Sequence, residues 1–123
     1  MALASEMMGG GLSAGQAIAI NGVINPTVSA AGTTITDATA LTAGCNIVTT
    51  VGSGAGVKLM SAQASDEVMV YNGQGSNALL IYPPSSSSTI NQLSAGTPMS
   101  LAVWTVVRFK KIASGTWIAW LSA

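Results

Sequence analysis

The sequence has no histidine, a single cysteine and very few charges. Four basic and four acidic residues make up 7% of its 123 residues and leave no net charge. A globular chain usually carries about a quarter of charged residues. Aromatic residues are scarce, at 5%, and no apolar run approaches the ~20 residues that span a bilayer. Each absence excludes something. With no histidine and only Cys45, there is no Cys/His set for zinc and no internal disulfide. Nor is there an imidazole to activate a thiol or hydroxyl nucleophile. An uncharged chain cannot draw affinity from neutralising phosphates, so nucleic acid is not an expected partner. No cofactor and no membrane partner are expected either. Disorder requires low hydrophobicity and high charge, whereas hydrophobic residues here reach 49%.

What remains is a chain of single-domain size with a surface built mostly from serine, threonine, glycine and amides. Zero net charge and few charges solubilise a free monomer poorly and favour association. The N-terminal segment MALASEMMGGGLSAG carries no basic residue; the first is Lys58, and Gly9–Gly11 interrupt any apolar run. A secretory leader is therefore not expected. Residues 1–30 are too rich in glycine and too sparsely apolar to build a core. They read as an arm that packs on its own domain or on a neighbour, with a flexible tail as the rival reading. Its candidate contact residues are Leu3, Met7, Met8, Leu12, Ile18 and Ile20.

From Thr33 onward the pattern is one of short β-strands punctuated by Gly, Pro and Ser. Thr33–Leu41 is rich in Thr and Ile. Asn46–Val51 is largely β-branched, and Val57–Met60 follows a glycine-rich break. Glu67–Asn72 alternates, with Val68 and Val70 on one face and Met69 and Tyr71 on the other. Asn72–Asn77 lies between two apolar runs and predicts a hairpin with Ala78–Tyr82 as its return strand. Thr89–Leu93, Pro98–Leu101, Trp104–Ile112 and Thr116–Leu121 complete the set. Many short strands at even spacing predict an all-β domain at 31–123, an antiparallel β-sandwich (jelly-roll-like) or a small barrel, with the extended N-terminal arm at 1–30. Ala78–Tyr82 has no polar side, which suggests that its outer face is covered by another subunit.

No arrangement of residues points to catalysis. Asp66 and Glu67 are adjacent, so on a strand they point to opposite faces, and they read as turn residues. The segment Gly52–Lys58 fits neither G-x-x-x-x-G-K-[ST] nor G-x-G-x-x-G. Arg108, Lys110 and Lys111 hold three of the four cations. Arg108 and Lys110 share a strand face and are candidate contact residues, either guarding an edge against aggregation or meeting an acidic partner. Trp117 and Trp120 sit on opposite faces and cannot form one stacking platform. At least one belongs to a core or an interface. The chain is not expected to be an enzyme.

The order Val57-Lys58-Leu59, Asp66-Glu67-Val68, Val70-Tyr71-Asn72, Asn77-Ala78-Leu79 and Tyr82-Pro83-Pro84 resembles a module of tailed-bacteriophage virion proteins. It continues through Thr89-Ile90-Asn91-Gln92-Leu93 and Ser114-Gly115-Thr116-Trp117. Ser85–Ser88 stand where that group commonly has Gly-Gly. The resemblance spans about half of the chain. It implies a small β-sandwich, often part of a homotrimer, found in head decoration (cement) proteins, head fibres and tail-associated proteins. The expected function is decoration of the icosahedral head, with the major capsid protein and other copies of this chain as partners. The expected location is the capsid surface of the virion, after synthesis in the host cytoplasm. A receptor- or glycan-binding module of a tail or head fibre is the alternative.

Overall fold

The computed structural model describes residues 24–121. They form ten β-strands, with no helix among them. The strands are β1 (Ile24–Ser29), β2 (Thr39–Ala40), β3 (Cys45–Thr50), β4 (Gly56–Lys58) and β5 (Glu67–Asn72), then β6 (Leu79–Tyr82), β7 (Thr89–Ile90), β8 (Met99–Leu101), β9 (Val106–Ala113) and β10 (Thr116–Leu121). Six make one sheet in the order β1-β3-β5-β9-β10-β7, and four make a second in the order β2-β4-β6-β8. The chain alternates between the sheets from β1 to β8. From β1 to β6 each strand therefore pairs with one laid down a full circuit earlier or later, whereas β7 pairs with β10 at the far edge of the larger sheet.

That winding produces parallel pairs. β1 runs parallel to β3, β3 to β5, β2 to β4 and β4 to β6. Cys45 lies opposite Met69, and Val57 opposite Ile81, each 24 residues on, so this circuit advances both sheets by the same step, whereas Ile24 lies opposite Cys45 and Thr39 opposite Val57 after shorter, unequal steps. Parallel strands need a long crossover, which is usually helical. Here the crossover of each sheet is a strand of the other. This arrangement suggests a short β-solenoid and corrects the expectation of an antiparallel sandwich or a barrel. Among the described strands antiparallel pairing is confined to β5 with β9, β6 with β8, and the β9–β10 hairpin, beside one isolated antiparallel bridge between Ala31 and Gly56. The physical reason is that two-residue periodicity encodes which face is buried, not which strand is the neighbour.

The expected hairpin between Glu67–Asn72 and Ala78–Tyr82 is likewise absent, because β5 and β6 belong to different sheets. The corner between them is built from amides. The buried Asn72 side chain donates to the carbonyls of Asn77 and Leu101, both at 3.1 Å. The Gln74 amide oxygen accepts from the backbone N–H of Ser76 and of Asn77. Asn77 reaches back one circuit, donating to the Val51 carbonyl at 2.8 Å. These bonds supply partners for backbone groups that a ladder no longer serves. Thr33–Leu41 is mostly turn rather than strand, with only Thr39–Ala40 extended. There the Asp37 carboxylate accepts from the Thr33 N–H, the Thr34 N–H and the Thr34 hydroxyl, which competes with a sheet ladder. Residues 24–29, placed in the arm by the sequence reading, form β1 at the edge of the larger sheet. Residues 1–23 lie outside the described residues.

One hydrophobic cluster draws on both sheets. Val48, Val70, Val107, Phe109 and Trp117 come from the larger and Val57, Leu79, Ile81 and Leu101 from the smaller, all fully buried. The burial of Trp117 puts its indole in the core, where its Nε1 has no partner.

Candidate interaction surface

The outer face of the six-stranded sheet is set by the alternation that fills the core. Asn46, Val48, Val68, Val70, Val107 and Phe109 point inward, so Cys45, Ile47, Met69, Tyr71, Val106 and Arg108 point outward. Register then places Ile24, Cys45, Met69, Arg108 and Trp120 in one row across five strands. A second row runs through Ile47, Tyr71 and Val106. Ile24, Met69 and Trp120 are exposed, and Cys45 is a half-buried free thiol. Parallel sheets are normally covered on both faces. An apolar row on an uncovered face is the chemistry of an interface rather than of a wetted surface.

Two of the charged groups on this face, Arg108 and Glu67, form an ion pair. Arg108 Nη2 donates to Glu67 Oε1 at 2.8 Å, with side-chain exposures of 62% and 43%. Solvent screens such a pair, and its stabilisation is slight. Lys110 stands opposite Glu67 on the same face. The structure thus brings together two of the sequence-derived contact residues, Arg108 and Lys110, and it gives them an acidic neighbour within the chain. Lys111 turns away and donates to the Ala62 carbonyl at 2.5 Å. Leu3, Met7, Met8, Leu12, Ile18 and Ile20 lie outside the described residues. Asp66 accepts from the Gln63 N–H at 2.9 Å, a turn role. The hydrogen bonds from Thr34, its hydroxyl first, hold the Asp37 carboxyl below its usual range.

Two cavities adjoin this face. One, of about 360 Å³, is lined by Val106, Arg108, Trp120 and Leu121. The other is a shallow groove of about 1030 Å³. It runs from Ile112 and Ile118 on the outer face of the β9–β10 hairpin, past Leu93 and Leu121, to Pro98 and Met99 at β8. No charged residue lines it. Leu121 belongs to both cavities, so the apolar surface is continuous.

Trp104 is the other exposed feature. Sequence reading placed it at the start of the longest strand, but β9 begins at Val106. Trp104 instead has φ 57°, in the left-handed region, and its N–H donates to the Asn72 carbonyl at 2.9 Å. Its indole lies over Gly75, where a Cβ would stand 2.9 Å from Nε1. It is 61% exposed. A bulky residue held left-handed is a marked outlier. Sequence reasoning could not find either the groove or this conformation. The groove joins residues from β8, the β9–β10 hairpin and the segment after β7, and left-handed tryptophan has no sequence signature.

Among the described residues no group of three or more His, Cys, Asp or Glu could hold a metal ion. No helix among them is long and apolar enough to cross a membrane. No protein-family model matches the chain, and no curated protein or solved structure does either.

Proposed function

We propose that the protein decorates the outer surface of a tailed-phage head and stabilises the shell, as a self-associating structural protein without catalytic activity. The observation that carries this reading is the apolar row from Ile24 to Trp120, which spans five strands and whose one charged member is already paired with Glu67. A face of that kind makes broad neutral contact with protein and depends little on salt. The sequence resemblance supplies the phage setting, the major capsid protein as partner and the homotrimer as the assembly. Arg108, Lys110 and the N-terminal residues Leu3, Met7, Met8, Leu12, Ile18 and Ile20 are the proposed contacts.

The test is sedimentation of the purified chain with head shells stripped of decoration. Full-length chain is expected to co-sediment in saturable amounts and to raise the temperature at which shells rupture. A version lacking residues 2–23 keeps all ten described strands and is expected to bind more weakly. Full-length chain that stays in the supernatant would overturn the proposal. Equal binding by the truncated chain would remove the arm from it.

The exposure of Trp104 and Trp120 favours a second reading, a receptor- or glycan-binding module of a tail or head fibre. Among the described residues Trp120 shares a cavity with Val106, Arg108 and Leu121, whereas Trp104 lies on Gly75. Glycan-array binding that disappears in Trp120→Ala would establish this reading over decoration.

A further inference from the structure

The structure carries two unlike apolar features, one projecting and one recessed, and we infer that they are the two halves of a contact between copies of this chain: Trp104 of one copy seats in the groove between Leu93, Ile112, Ile118 and Leu121 of the next. This rests on the proposal that the chain self-associates and says how. Three observations lead to it. First, Trp104 is presented in a fixed pose. Its left-handed backbone and the bare Cα of Gly75 beneath the ring hold the indole in place while leaving most of it in water. Strain of that kind persists only where the surrounding structure imposes it, and it gathers at sites of recognition. A rigid, exposed tryptophan is also the side chain most often found to anchor an interface.

Second, the groove asks for such an occupant. Its lining combines aliphatic side chains, of which Leu93, Ile112 and Leu121 are exposed, with the neutral polar groups of Asn91, Gln92, Ser100 and Thr116, and none of the described lining residues is charged. At about 1030 Å³ it has room for an indole together with its neighbours in the chain. The turn that carries Trp104, Leu101-Ala102-Val103-Trp104-Thr105, has no charge either, so the two surfaces match in polarity.

Third, the two features are separate within one molecule. Trp104 is absent from the groove lining, and Ile112 lies six residues beyond the start of β9, about 20 Å along the strand. A contact between different patches is heterologous, and when its rotation closes it gives a cyclic ring rather than a two-fold dimer.

The experiment uses full-length chain and reads mass by sedimentation velocity. The variants are Trp104→Gly, whose backbone suits the left-handed position, and Ile112→Lys, at an exposed site that a lysine can occupy without entering the core. Wild type is expected as a closed oligomer. Each variant alone is expected to be monomeric at that concentration, with its circular dichroism and thermal midpoint retained. Mixed in equal amounts, the two are expected to form a heterodimer, because Trp104→Gly retains an intact groove and Ile112→Lys retains an intact tryptophan. Variants that remain as oligomeric as wild type would overturn this inference and leave self-association standing. Monomeric variants that fail to complement each other would overturn it too, since the contact would not be heterologous. A wild type that is monomeric throughout would overturn the self-association proposal itself.

Discussion

Two single residues show how local chemistry shapes this chain. Gly56 is buried in β4, and a Cβ there would lie 2.8 Å from the Tyr82 ring and 2.9 Å from the Leu80 carbonyl oxygen of the next circuit. The stacking of circuits thus depends on a missing side chain. Gly56→Ala is expected to cost about 2 kcal/mol by overpacking. Urea unfolding checks this, and an unchanged midpoint would mean that the circuits are not so closely stacked. Asp37 shows the electrostatic counterpart. Its carboxylate is held below the usual 3.8 by the Thr34 and Thr33 hydrogen bonds. A depressed folded value means that the stabilisation is complete above the unfolded value and is lost as pH falls through the folded one. Asp37→Asn is therefore expected to be less stable than wild type at neutral pH. The gap should narrow once pH drops below 3.8. Thermal unfolding across pH checks this, and a gap that widens in acid would contradict it. The sequence placed Glu67 at a turn opening a strand and Arg108 on a strand face, but their pairing was not legible. It depends on β5 lying beside β9, which no local pattern encodes.

At the level of elements, most strand positions were legible, Thr33–Leu41 being the exception, and strand partners were not. Cys45–Thr50, Glu67–Asn72 and Thr116–Leu121 fall where β-branched and alternating residues put them. The alternation in Glu67–Asn72 separated Val68 and Val70 from Met69 and Tyr71, and the structure buries the valine face. The partners went unread because a corner that crosses to another sheet and a hairpin loop share the same turn residues. Asn72-Gly73-Gln74-Gly75-Ser76-Asn77 serves either in composition. What separates them is the spacing of strands, about 21 to 24 residues between β1, β3 and β5. That is the period of a winding repeat. The repeat is faint in sequence, since paired positions such as Cys45 and Met69 differ in type. The side chain of Asn72 is central to the corner. Asn72→Ala would remove the side-chain donor to the buried Leu101 carbonyl and one of two side-chain donors to the Asn77 carbonyl, and it is expected to cost about 2 kcal/mol. By comparison, Arg108→Ala removes only a screened surface pair and is expected to change stability by less than about 1 kcal/mol. Guanidinium unfolding of both variants checks the contrast, and equal losses would contradict it.

For the whole molecule, the scarcity of charge read from composition becomes spatial. The described residues expose an apolar row on the larger sheet, an uncharged groove beside it and, apart from both, a tryptophan in the left-handed region. Composition alone indicated association. Which surface would serve the proposed association depends on the register of five strands and on which edges are left open. A small, neutral, all-β chain with such a surface is suited to being held between other proteins in many copies. The most direct test of the proposed role is the number of copies of this chain in purified virus particles, measured by quantitative mass spectrometry against the major capsid protein. The account predicts on the order of hundreds of copies, in fixed ratio to the shell subunits, as icosahedral symmetry requires of a decoration protein. A count of about ten, as expected of a tail or fibre component, or no copies at all, would contradict it.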